Sequence, residues 1–279
     1  MEKRYFFDGP FRCVAVLLKL SIAGAFTCLF GIAPLFAQGG SVSISANGVG
    51  NAASYAVGSV SPGEIVTIFG SGLGPGTLVG LQLDSKGYVS TSLGTTQVLF
   101  DGVAAPLIFT WAGQVSAVVP YAVSGMTSTQ VQVSYQGQNS NMVAIPVTNA
   151  VPGIFTMDAS GRGQGAILNQ NGTVNSADNP AALGSYVSVY ATGEGQTRPG
   201  GIDGKPGDAP APVPIATVTA TVGGLNADVQ YAGGSPGALA GLLQVNVLVP
   251  QKIAAGPSVP IVLTIGGHPT QTGVTVSIK

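Results

Sequence analysis

The feature that most constrains this chain is that it says nearly the same thing twice. "GEIVTIFGSGLGPG" starts at Gly63, and "GSYVSVYATGEGQT" starts at Gly184, 121 residues later. Each opens on Gly, runs through alternating apolar and polar residues, and breaks into glycines. The correspondence continues. Gly102 matches Gly224 and Phe109 matches Tyr231, both at an offset of 122, and "QVSAVVP" (114–120) matches "QVNVLVP" (244–250) at an offset of 130. "TQVQVSYQGQNSNMVAIPV" (129–147) then matches "VPIVLTIGGHPTQTGVTVSI" (259–278). The step in offset places an eight-residue insertion around "GGSPGALAGL" (233–242) in the second copy. Matches at nearly constant spacing are the mark of a duplicated module.

Each copy reads as antiparallel β structure. "EIVTIFG" alternates as a sandwich strand does. In "VLFDGVAAPLIFT" an Asp-Gly pair separates two apolar runs, and glycine supplies the positive φ that a tight hairpin needs. About seven short strands per copy, with turns between them, give the pattern of an immunoglobulin-like sandwich. Composition agrees. Only 8% of residues are charged and there are 42 Gly and 19 Pro; helices need a charged wet face, and breakers on this scale punctuate strands. The net charge of −1 gives no basic footprint for nucleic acid.

The N-terminus stands apart. Lys3, Arg4, Arg12 and Lys19 precede "LSIAGAFTCLFGIAPLFA" (20–37), which carries no charge and is followed by "QGG". This is expected to be a secretory signal peptide cleaved after Ala37. The rival is an uncleaved anchor, because 18 uncharged residues sit near the lower limit of a membrane span. Cys13 and Cys28, the two cysteines, both fall in this segment. The chain from 38 onward therefore holds no disulfide and no thiolate metal site.

Between the copies lies 151–184, where "AILNQNGTVNS" has Asn171-Gly172 between apolar segments and is expected to form a hairpin packed beside the second domain. The expected domains are a signal peptide at 1–37, a first sandwich at 45–148, and a second at 150–279 that includes the connecting hairpin. The Gly- and Pro-rich segment from Gly193 to Pro214 is expected to be an exposed, mobile loop.

"VSPGEIVTIFGSGLGP", "VLFDGVAAPL", "QVSAVVP" and "VQVSYQGQNSNMV" together resemble an IPT/TIG domain. The full tandem, with "NAASY", "PGIFT", "YATGEGQT" and "GLLQVNVLVP", is similar to a C-terminal module of secreted acidobacterial proteins. The resemblance covers roughly 45–279 and implies the Ig-like fold, with no assigned activity. The second copy departs from it, since Leu73-Gly74 becomes Glu194-Gly195.

No constellation commits the chain to chemistry. His268 is the only histidine, and it sits at a hairpin tip where the first copy has Gln138; a turn that works with Gln does not need imidazole. "GSGLGPG" (70–76) lacks the Gly-Lys-Ser/Thr of a phosphate loop and reads as a strand-end turn. Glu194, Asp203 and Asp208 share the long loop and match no cation-binding spacing, though loop carboxylates of this kind can hold calcium. Glu194 can equally pair with the exposed Arg198. Trp111, Phe109, Tyr121 and Tyr231 are either sandwich core or an aromatic platform for sugars.

The function expected is an exported, non-enzymatic tandem Ig-like protein, secreted or at the cell surface, that binds or adheres. Its partner is a surface protein, a polysaccharide or a second copy of itself, and the 193–214 loop is expected to dominate recognition, unless it fills the interface between the domains. The alternatives are a self-assembling accessory module of the envelope and, more remotely, a hydrolase working through Asp and Glu. No catalytic residue, cofactor or metal site is expected, no nucleic-acid partner, and no membrane span after the leader.

Overall fold

The computed structural model describes residues 41–207 and 211–279. The expectations for the leader at 1–37, with Cys13 and Cys28, and for Asp208 lie outside the described residues. The described chain is all-β and builds Ig-like sandwiches; its one helical segment is a 3-10 turn at Tyr121–Val123.

In the first half, β1 (Ser43–Asn51), β2 (Ile65–Ser71), β3 (Val79–Gly80), β4 (Thr96–Phe100) and β5 (Val103–Ala104) are followed by β6 (Leu107–Trp111), β7 (Gln114–Val118), β8 (Ser128–Tyr135), β9 (Gln138–Asn139) and β10 (Val143–Pro146). One sheet has the order β1-β2-β7-β6-β3 and the other β10-β8-β4-β5, with β9 folded back on β8. Val66 and Ile68 of β2, Val115 and Ala117 of β7, and Val98, Phe100, Val131 and Val133 of the facing sheet fill the space between. Alternation places them there, because successive side chains on a strand point to opposite faces.

In the second half come β11 (Gly153–Ile154), β12 (Gly163–Gln164), β13 (Ile167–Asn169), β14 (Tyr186–Thr192), β15 (Thr197–Arg198) and β16 (Val213–Pro214). They are followed by β17 (Val218–Val222), β18 (Leu225–Ala227), β19 (Val229–Gly234), β20 (Leu243–Leu248), β21 (Gly256–Ile265), β22 (His268–Pro269) and β23 (Val274–Ile278). The orders are β11-β14-β20-β19 and β12-β23-β21-β17-β18. Thus β14-β20-β19 repeats β2-β7-β6, and β23-β21-β17-β18 repeats β10-β8-β4-β5. The turns agree as well. Asp101-Gly102 and Gly223-Gly224 both have two consecutive positive φ values, the conformation of a type I′ hairpin turn.

The 151–184 segment lies against the second sandwich. β11 and β13 both pair with β14, and Asn169 N–H donates to Thr173 O at 2.8 Å to close the turn over Gly172. Asn175 is fully buried there. Its Nδ2 donates to Asn169 Oδ1 and Ser277 O, and its Oδ1 accepts from Ser277 N–H. These hydrogen bonds offset the cost of burying the amide and fix the segment in one register.

A third apolar cluster belongs to neither sandwich alone. Ile65, Ile108, Phe109 and Val118 of the first meet Ala166, Leu168, Tyr190 and Leu242 of the second. A bulge between Leu107 and Phe109 lets both Ile108 and Phe109 face this junction. The outer face of the β2-β7-β6 layer is therefore covered at one end by the second sandwich.

Candidate functional site

The junction is built from segments in which the two halves differ. After β2 the chain reads Gly72-Leu73-Gly74, and Leu73 is buried in the first core. After β14 it reads Gly193-Glu194-Gly195, and Glu194 is 3% exposed. Both flanking glycines have positive φ, and a Cβ on them would collide with the carbonyls of Val151 and Asn149. Only glycine lets this strand end approach the 149–151 backbone so closely.

The chain from 193 to 214 then folds against the first sandwich. Tyr121 N–H donates to Asp203 Oδ1 at 2.9 Å, Gln196 Nε2 donates to Tyr121 O at 3.1 Å, and Val89 N–H donates to Gly204 O at 2.7 Å. Thr192 Oγ1 accepts from Ile65 N–H and donates to Gly241 O, each at 2.8 Å. Most described residues of the segment are buried or half-buried, which corrects the expectation of an exposed loop and agrees with its alternative, a segment that fills the interface. These hydrogen bonds hold it down, each worth about 1 kcal/mol net.

The inserted residues find their place here too. Gly207 N–H donates to Ala238 O at 2.6 Å, Ala240 N–H donates to Lys205 O at 3.3 Å, and Pro206 bridges Leu239. Insertion and loop together line an open pocket of about 270 Å3, with Tyr121 as its contribution from the first sandwich and Glu194 on its wall. Glu194 Oε2 is the one buried side-chain polar atom among the described residues without a hydrogen-bond partner. Burial pushes the Glu194 carboxyl up to about 7, against one hydrogen bond from its own backbone. Burial likewise raises Tyr121, with Glu194 and Asp203 adding to it. Asp203 is raised by burial and lowered by the Tyr121 N–H.

A second buried carboxylate lies close by and is differently placed. Glu64 is fully buried; its Oε1 accepts from Asn51 Nδ2 at 3.0 Å and its Oε2 from Ser61 N–H at 2.7 Å. Asn51 also donates to Val151 O at 2.8 Å and accepts from Ala53 and Ser54 N–H, so Glu64 braces the "NAASY" turn against the second half. Burial lifts Glu64 to about 8; its hydrogen bonds oppose this and Glu194 adds to it. Glu64 does not line the cavity.

The remaining sequence candidates separate. Glu194 forms no ion pair with Arg198, because it is buried while Arg198 is exposed. Asp203 is engaged with Tyr121, and among the described residues no three His, Cys, Asp or Glu side chains come together as a metal set. His268 is exposed opposite Ile265, in the turn where Gln138 lies opposite Tyr135. The turn at 70–76 ends β2 and plants Leu73 in the core. Phe109 and Tyr121 are buried at the junction and Tyr231 is half-buried, so the four aromatics make no common platform.

Trp111, read as core or platform, is 42% exposed, and it stands in a row that the sequence did not suggest. Phe69 and Trp111 each face Gln114 across β7, so the three side chains share the outer face of the layer. Phe69 is 39% exposed, and Tyr55 tilts against it at a ring separation of 6.3 Å. The row occupies the end of the face that the second sandwich leaves open.

Residues 51–148 match the model of the IPT/TIG domain. This segment lies within the first half, and the match does not extend over the Glu194 turn or the insertion. Among similar solved structures is that of surface layer protein SbsC, domains 4–9, at 15% identity over 86% of this chain, with a TM-score of 0.19. At that score the likeness carries no argument, and this chain spans 30% of that one. No curated protein matches. Among the described residues no helix is long and apolar enough to cross a membrane.

Proposed function

We propose that the chain is an exported, non-enzymatic tandem Ig-like module of the cell surface, and that its partner is a polysaccharide laid across Phe69, Gln114 and Trp111. One observation carries the reading. Two exposed aromatic rings stand in line with an amide on a face that is otherwise buried by the second sandwich. Strands two apart in a sheet lie about 9–10 Å from each other, comparable to the length of a disaccharide. Aromatic faces receive the C–H faces of sugar rings, and the amide between them can exchange hydrogen bonds with hydroxyls.

The export component is supported by the basic leader and uncharged run at 1–37. The non-enzymatic component is supported by the separation of the two buried carboxylates. Glu64 is closed off by Asn51 and Ser61, so among the described residues no pair of carboxylates lines the cavity.

Affinity electrophoresis of the full chain in gels containing soluble envelope polysaccharides is the test. Retardation is expected, reduced at least tenfold in affinity by Trp111→Ala and by Phe69→Ala, with unchanged melting temperatures. Retardation that survives both substitutions overturns the reading. So does loss of a multimer to monomer in Trp111→Ala without any polysaccharide binding, which would make the row a self-association surface.

A further inference from the structure

The junction cavity has features that a polysaccharide-binding face does not use. It is a pocket of about 270 Å3 between the 197–207 segment and the 234–241 insertion, walled by Pro199, Ile202, Leu239 and Ala240, with the Tyr121 ring at one side. Glu194 is the one acidic residue that lines these mostly apolar walls, and its Oε2, buried from solvent, has no partner. A buried carboxylate oxygen left unpaired costs more than the other polar arrangements available to a folded chain. It leaves room for a donor from outside the chain, a water or a ligand. Lys205 also lines the cavity, but donates no hydrogen bond to that oxygen.

We propose that this pocket is a binding site for a primary alkylammonium group, with the ammonium on the Glu194 carboxylate once its buried Oε2 turns toward the pocket, and its aliphatic stem along Pro199, Ile202 and Leu239. The head group suits the carboxylate as a charge-assisted donor. The stem suits the apolar walls, which a sugar or a phosphate would not. The charged and titratable groups around the carboxylate are Glu64 and Tyr121 from the first sandwich, with Asp203 and Lys205 from the loop. Glu194 is itself held up near 7 by burial, so below that pH the ligand must displace a proton. Affinity is therefore expected to fall about tenfold per pH unit below 7. It is expected to fall again only above about 10, where alkylammonium groups lose their own proton.

Titration calorimetry of the full chain with n-butylammonium, n-butanol and butyramide tests this. Saturable binding of n-butylammonium is expected, at least tenfold tighter than the two neutral isosteres at pH 8. Glu194→Gln should weaken it at least tenfold while leaving the isosteres unchanged. Ala240→Leu, which fills the cavity and leaves the carboxylate in place, should abolish it, and this second variant decides the matter if Glu194→Gln fails to fold. No saturable binding to the unmodified chain overturns the proposal, as does equal binding of the amine and its isosteres or affinity untouched by either substitution.

Discussion

After β2 the first sandwich sends Leu73 into its own core; after β14, at the corresponding place, the second sends Glu194 into the space between the two. The frames are otherwise alike. The strand orders match, the type I′ turns match, and His268 stands where Gln138 does. The halves diverge at the Gly193–Pro214 segment and at the 233–242 insertion, and both of these converge on the junction with Tyr121 and Val89. Departures from the shared frame gather at the contact that joins the sandwiches. The first sandwich keeps the regular outer face, and with it the exposed aromatic row.

Truncating the junction should strike hardest. Leu242 is the fully buried aliphatic that the second sandwich sets among Ile65, Ile108 and Val118. Leu242→Ala is expected to lower stability in urea by about 2–5 kcal/mol, the cost of lost burial plus a cavity. A loss below about 1 kcal/mol would mean that the halves hardly depend on each other.

The buried acids should impose a pH dependence specific to the junction. Glu64 and Glu194 are raised from 4.5 to about 8 and about 7. The folded chain therefore keeps protons that the unfolded chain has released. The stability they allow is full below about pH 4.5 and is lost as pH rises through 7 and 8, with a ceiling of about 1.4 kcal/mol per pH unit for each group. Melting temperatures followed from pH 5 to 9 should fall, and Glu64→Gln with Glu194→Gln should flatten the slope. A slope unchanged in the double variant would place its origin elsewhere.

Much of the frame was legible in the sequence. Alternation in 65–69, the Asp101-Gly102 hairpin and the stepped offset all reflect short-range rules, namely two-residue periodicity and the positive φ of glycine in turns. The junction was not legible. A glutamate among glycines reads as solvated, whereas the glycines on either side of Glu194 pack against the carbonyls of Val151 and Asn149, far from them in sequence. Likewise the Tyr121–Asp203 bond joins positions 82 residues apart, with no local pattern to announce it. The exposure of Trp111 depends on the β6 bulge, which turns Ile108 and Phe109 to the same side. Alternation alone cannot show a bulge.

The smallest effect sharpens the same comparison from its conserved side. His268 and Gln138 occupy equivalent exposed turns, so His268→Gln is expected to change stability by less than about 0.5 kcal/mol. A larger change in a urea titration would show that the turn of the second sandwich has acquired a role that its counterpart lacks.

The claim that the 193–214 segment joins the sandwiches meets its most direct test in calorimetry of a chain in which 199–207 is replaced by a short Gly-Ser linker. The unmodified chain should melt in one transition. The replacement should lower that transition or split it into two, while retention by polysaccharide through Trp111 persists. An unchanged single transition together with lost polysaccharide binding would contradict the account and return the segment to the role of a recognition loop.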